Sequence, residues 1–287
     1  LHNYVQVNHN KMNMENNEED FMYKNGIIPI NSKDPKYPTS IHKVRKKLPT
    51  IYHMGELFEY DDGIAVVGTR ECSESGQLFA QNVGKLLSKN NYKVVSGLAT
   101  GIDTFAHRGC LENNGLAIAV LAWFHEISPK GNKELLEKIV ETGCALSENV
   151  FAPVKEPKYA FLTRDDIIAA LSNAVVVVET RSKGGAKYTA NVARKKKIPV
   201  IVPKINNNDA ELQDGFEVLV QEGALVAKDE DVSLDWLIPK IANGSIIIPS
   251  NNYRKQEIHN VGIGKGLKTK VNVNIGTSTM KVDLKEE

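Results

Sequence analysis

Cysteine is scarce in this chain. Cys72, Cys110 and Cys144 are the full set, and no two of them form a Cys-x-x-Cys pair. So small and scattered a set supplies neither a disulfide framework nor a zinc site, and a reducing cytoplasm is the expected setting. An excess of one charge is missing too: 36 Lys and Arg face 35 Asp and Glu, a net charge of +1. This excludes a polycation that holds nucleic acid with its whole surface, so any such site must be a local patch. No apolar run approaches the roughly 18 residues that span a membrane. The first twenty residues are rich in Asn and acids and have no apolar core, so no secretory leader is expected. Neither Gly-x-Gly-x-x-Gly nor the P-loop pattern occurs, which argues against a standard dinucleotide or nucleotide triphosphate site. No cofactor and no metal are expected.

What is present is a rhythm. Residues 1–24 are polar and lack periodicity, and are expected to be a disordered extension. Residues 25–60 form a lead-in whose prolines (Pro29, Pro35, Pro38, Pro49) punctuate extended segments. From 61 to 242, short apolar runs alternate with helical stretches. Ile64–Val67 precedes a helix at Ser75–Lys89, Val94–Ser96 one at Ile102–Glu112, and Ala117–Leu121 one at Lys133–Glu141. Ala145–Ser147, a helix at Asp165–Ser172, Ala174–Glu179, a helix at Ala186–Lys197, Pro199–Val202 and a helix near Ala210–Glu222 continue the series. Runs such as Val175-Val176-Val177-Val178 are apolar throughout, as in strands buried on both faces. The pattern predicts an α/β fold with a doubly wound, mainly parallel sheet and helices on both faces. Residues 243–287 lose the helical period and read as a small β appendage or flexible tail. Ser245–Pro249 and Lys270–Ile275 are its candidate strands, and Gly262-Ile263-Gly264-Lys265-Gly266 reads as loop.

Two strand ends carry the anion-binding signal. Gly68-Thr69-Arg70 follows the first strand, and Ser96-Gly97-Leu98-Ala99-Thr100-Gly101 follows the second. A glycine turn that feeds a helix can aim backbone N–H groups at a phosphate, and two such turns suggest one crevice at the carboxyl edge of the sheet. Ordinary strand-to-helix turn chemistry is the plain alternative. Asp103 and His107 stand four apart on one helix face, either as an acid/base couple or as a carboxylate bracing the turn above a packed imidazole. Arg164 could meet a phosphate from a helix start, with Asp165 and Asp166 favouring the helix dipole there. Lys183-Gly184-Gly185-Ala186-Lys187-Tyr188-Thr189 offers donors and an aromatic ring suited to single strands. Arg194-Lys195-Lys196-Lys197 reads as a solvated helix end.

These residues together resemble the DprA/Smf family of DNA-processing proteins. The resemblance runs from about Gly26 to Val226. It rests on Val66–Arg70 with Gly76, on Val95–His107, on Leu146-Ser147-Glu148, Phe161 and Arg164, and on Ile167–Ser172, Val178-Glu179, Gly184 and Thr189-Ala190. It implies an extended Rossmann-like domain of the wider SLOG group. It further implies a non-catalytic protein that binds single-stranded DNA, forms a homodimer and loads a RecA-type recombinase, notably in natural transformation. By the same resemblance, Gly68, Arg70, Ser96, Gly97, Gly101, Asp103, His107 and Arg164 match the family's pocket. The chain departs from the family where Arg164-Asp165-Asp166 replaces Arg-Asn-Arg, where Lys183 replaces a frequent serine, and where Lys204 replaces a glycine. A C-terminal winged helix is not evident. The lost cation and the near-neutral charge also fit a SLOG-type sensor or hydrolase of a small nucleotide-derived ligand. A scaffold that uses the fold only to dimerise is a third reading.

Overall fold

A computed structural model describes residues 17–57, 62–205 and 208–226, with two short strands at 246–247 and 263–264. The first element is a helix, α1, over 17–25. It sets Phe21 and Met22 against the core, so the disorder expected through residue 24 does not hold here. Two neighbouring apolar side chains give an otherwise polar segment one face to bury. The lead-in then forms β1 (Ile28–Ile30), a 3₁₀ turn (Thr39–Lys43) and β2 (Ile51–Gly55). β1 pairs antiparallel with β2.

The alternating region follows the predicted series. β3 (Gly63–Val67) leads through α2 (Glu74–Lys89) to β4 (Lys93–Ser96), and on through α3 (Ile102–Leu111) to β5 (Ala117–Val120). After α4 (Lys133–Thr142) and β6 (Cys144–Ser147) the chain crosses back by α5 (Pro157–Ala170) to β7 (Ala174–Val177). α6 (Gly185–Lys195), β8 (Val200–Val202), α7 (Ala210–Gln221) and β9 (Leu225–Val226) complete it. The strands form one sheet in the order β1-β2-β6-β5-β4-β3-β7-β8-β9, parallel from β6 to β9. β2 joins the β6 edge antiparallel.

Side-chain alternation shows why helices cover both faces. In β3, Ile64 and Val66 face the core under α2, α3 and α4, while Ala65 and Val67 face the core under α5, α6 and α7. β7 divides likewise, Val176 to one face and Val175 and Val177 to the other. A strand with no solvated face must be apolar at every position, as the sequence shows.

Two segments differ from expectation. α5 begins at Pro157, well before Asp165. Proline is accepted at a first helical position because its missing N–H is not needed there. Arg164, Asp165 and Asp166 therefore lie inside the helix rather than at its start. In the tail, β10 (Ile246–Ile247) pairs antiparallel with β11 (Ile263–Gly264), so part of the glycine-rich stretch read as loop is strand. Backbone groups alone make that ladder. The expected strand at Lys270–Ile275 lies outside the described residues.

Candidate functional site

The strand order reverses between β3 and β7, and a cleft opens at the carboxyl ends of these two strands. Crevices at such switch points are where doubly wound sheets take their ligands. The cleft measures about 410 Å³. Gly68, Thr69 and Arg70 from β3 line one side, Gly184, Gly185 and Thr189 from the start of α6 the other, and Asp103, Phe161, Arg164 and Asp165 meet between them.

Arg164 is the central group. It is only 8% exposed, and its Nε and Nη1 make no hydrogen bond within the protein. Its Nε lies 3.0 Å from Asp165 Oδ1 and its Nη1 3.9 Å from Asp103 Oδ2, ion pairs without hydrogen-bond alignment. A buried guanidinium with unspent donors is costly unless something completes it. Phe161 lies beneath two guanidinium groups, 5.8 Å from Arg70 and 6.0 Å from Arg164, and meets Trp123 edge-on at 5.1 Å. Arg70 itself is exposed.

The second glycine turn already gives two of its N–H groups to a carboxylate of the chain. Asp103 accepts from the N–H of Gly97 at 3.1 Å and of Ala99 at 3.4 Å. The Ser96 hydroxyl donates to Val66 O at 2.6 Å, and the Ile102 N–H to Thr69 O at 3.3 Å. The Gly97 and Ala99 N–H groups are thus spent on the fold. Gly101 begins α3 at φ 78°, where a Cβ would sit 2.3 Å from Thr69 O. Leu98 is fully buried at φ 58°, a left-handed conformation that costs about 1–2 kcal/mol in a residue with a Cβ. Asn132 holds it there, donating to Leu98 O and to Thr104 Oγ1, each at 2.8 Å. Thr100 is exposed and stands outside the cleft lining.

His107 is fully buried under this turn, and burial pushes its pKa down to about 4. Asp103 is buried too. Desolvation raises its pKa against the pull of Arg164 and of the turn N–H groups. The carboxylate is committed to the backbone N–H groups of Gly97 and Ala99 and the imidazole is sealed from solvent, so the pair braces the turn.

The remaining predicted donors divide. The Lys187 ammonium pairs with Glu222 at 3.1 Å and Lys183 is exposed, and neither lines the cleft. Tyr188 is fixed by a 3.1 Å bond to Asp166 Oδ1. Arg194 is tied to Glu222. Asp166 turns from the cleft to Arg45, which also meets Glu148 at 3.1 Å and Thr163 O at 3.1 Å. The sign change at Asp166 thus falls on the lead-in rather than on the cleft. Arg181, near the cleft mouth, pairs with Glu71 at 3.1 Å and with Glu211. Three cations (Arg70, Arg164, Arg181) and three acids (Glu71, Asp103, Asp165) line the cleft. Asn132, Trp123 and Arg45 escaped sequence reading because each acts on residues distant in the chain.

Residues 29–237 match the family described as DNA recombination-mediator protein A. The chain is 35% identical to DNA processing protein DprA of Streptococcus pneumoniae, over 71% of this chain and 72% of that protein. It is 35% identical to Protein Smf of Synechocystis, over 74% of this chain, and spans about half (54%) of that longer relative. The solved DprA structure from S. pneumoniae superposes with a TM-score of 0.63 at 29% identity, covering 77% of each chain. DNA processing protein A from Helicobacter pylori, described with its single-stranded DNA binding mode, has the same fold at a TM-score of 0.63 and 24% identity, over 76% of this chain and 96% of that one. Residues 216–287 also match the Radical SAM ThiC family. Seventy residues are 47% identical to phosphomethylpyrimidine synthase of Methanoregula boonei, 24% of this chain and 16% of that protein. Among the described residues, no helix is long and apolar enough to cross a membrane.

Proposed function

The chain belongs to the DNA recombination-mediator protein A (DprA/Smf) family, and from that premise we propose that it binds single-stranded DNA by its phosphates in the cleft between α5 and the start of α6. The observation that carries this reading is the cleft at the carboxyl ends of β3 and β7, lined by three arginines, Arg70, Arg164 and Arg181. Arg70 supplies an exposed guanidinium beside Arg164, and Phe161 with Trp123 supplies aromatic surface for bases. Binding of this kind draws on counterion release and shows little sequence preference. The work is holding rather than bond-breaking. A cytoplasmic homodimer that shields incoming single strands and passes them to a RecA-type recombinase, as in natural transformation, is the role this binding would serve.

The test is fluorescence anisotropy of a labelled oligo-dT strand at several salt concentrations, for the wild type and Arg70→Ala. The variant is expected to bind all sequences more weakly and to lose about 0.7 from the log–log salt slope for each phosphate contact removed. An unchanged slope refutes the site.

A further inference from the structure

The N-terminus of α6 opens on the cleft without a side-chain cap: its N-cap is Gly184, and Gly185 follows. Unpaired N–H groups at a helix start favour an anion. Independently, the buried Arg164 lines the same cleft, and its Nε and Nη1 make no hydrogen bond within the protein but face the carboxylates of Asp165 and Asp103. The two features define one seat for a phosphate. An acid of the chain already stands in it. Asp165 is 8% exposed, with one carboxylate oxygen 3.0 Å from Arg164 Nε. Its other oxygen lies 3.9 Å from where a Cβ on Gly185 would be.

We propose that Asp165 controls admission of nucleic-acid phosphate to this cleft: its carboxylate occupies the seat between Arg164 and the α6 N-terminus and repels a phosphodiester, and its protonated form lets the phosphodiester in. The inference rests on the binding reading above.

The surroundings support a carboxyl that changes state in a mild pH range. Burial pushes the Asp165 pKa up to about 6. Arg164 on the same helix opposes that rise, Asp103 from α3 and Asp166 from α5 add to it, and Arg70 from the β3 end lowers it. From the α6 side, Gly184 and Gly185 present no ionisable group. Arg181 on the loop before α6 is engaged by Glu71 and Glu211. Protonation changes the cleft from three cations against three acids to an excess of positive charge.

If only the protonated form binds, apparent affinity scales with its population. A group with a pKa near 6 is about 3% protonated at pH 7.5 and about 75% at pH 5.5, roughly a 25-fold gain on acidification. The experiment uses the full chain and labelled oligo-dT at pH 7.5 and 5.5, with wild type, Asp165→Asn and Asp165→Ser. The wild type is expected to bind about 25-fold tighter at pH 5.5. Both variants are expected to bind tightly at pH 7.5 and to lose most of that dependence. Wild type and variants that bind with the same affinity and the same pH profile overturn this inference and leave the binding reading standing. No binding by any of the three proteins at pH 5.5 and low salt overturns both.

Discussion

Gly97 has no room for a methyl group. A Cβ there would lie 1.3 Å from Arg164 Nη1, 2.5 Å from Cζ and 2.9 Å from Asp103 Oδ2. Gly97→Ala must therefore displace a guanidinium packed on the α5 face of the cleft. The backbone can stay in place, because the obstacle is the end of a side chain. Overpacking of this kind costs about 1–3 kcal/mol. The displaced Arg164 also loses its position for phosphate, so stability and DNA affinity should fall together. Urea denaturation measures the first and oligo-dT anisotropy the second. Gly131→Ala is the control: nothing lies within 4 Å of a Cβ at Gly131, and a change of at most about 0.5 kcal/mol is expected. The double variant Gly97→Ala/Arg164→Ala should be less destabilised than the sum of its parts, because removing the guanidinium removes the clash. Strict additivity, or a Gly97→Ala variant as stable as the wild type, would show that Arg164 does not rest on Gly97.

Two further changes test the turn beneath the cleft. Asn132→Ala leaves the Leu98 carbonyl without its amide donor and is expected to cost about 1–3 kcal/mol in urea unfolding; a loss below 0.5 kcal/mol would mean the left-handed Leu98 needs no clasp. His107 gives a pH signature. Its folded pKa, about 4, lies below the ordinary 6.5, so the unfolded chain binds the extra proton, and stability is kept above pH 6.5 and lost as pH falls toward 4. The loss is on the order of 3 kcal/mol. Asp165, raised to about 6, works in the opposite direction across the same window, so the sign is read from the difference between wild type and His107→Leu. Equal pH slopes for the two proteins would refute it.

The parallel core was legible because each of its strands must be apolar on both faces and each is separated from the next by a helical period. β3, β4 and β5 fall where the apolar runs stand, and α2 through α4 follow them. The lead-in was less legible: β1 is three residues long with a proline at its centre, and the place of β2, on which β1 pairs, is set by β6, far along the chain. In the cleft, Arg70, Arg164, Gly184 and Thr189 could be named from the sequence because they sit at strand ends or in a recognisable motif. That the Gly97 and Ala99 N–H groups are already taken could not, since Asp103 accepts them only once the chain is folded. Tyr188 and Lys187 looked like cleft residues because they follow Gly184-Gly185. One turn of helix is enough to aim them at Asp166 and Glu222 instead.

The antiparallel attachment of β2 to β6 imposes an order on synthesis. When β1 and β2 leave the ribosome, the strand that will receive them has not been made, and α2, α3 and α4 with their strands must come first. Until then Ile41 and Ile51, both fully buried in the finished protein, have no surface to cover. Pairings this distant in sequence form slowly, and segments that wait for them are open to other partners. The same pairing protects the mature molecule. β2 covers the edge of β6, and the outermost strand it leaves, β1, is short and carries Pro29, which makes it a poor template for a second chain. Removing the lead-in would thus do more than shorten the protein: it would bare a strand edge fit for self-association.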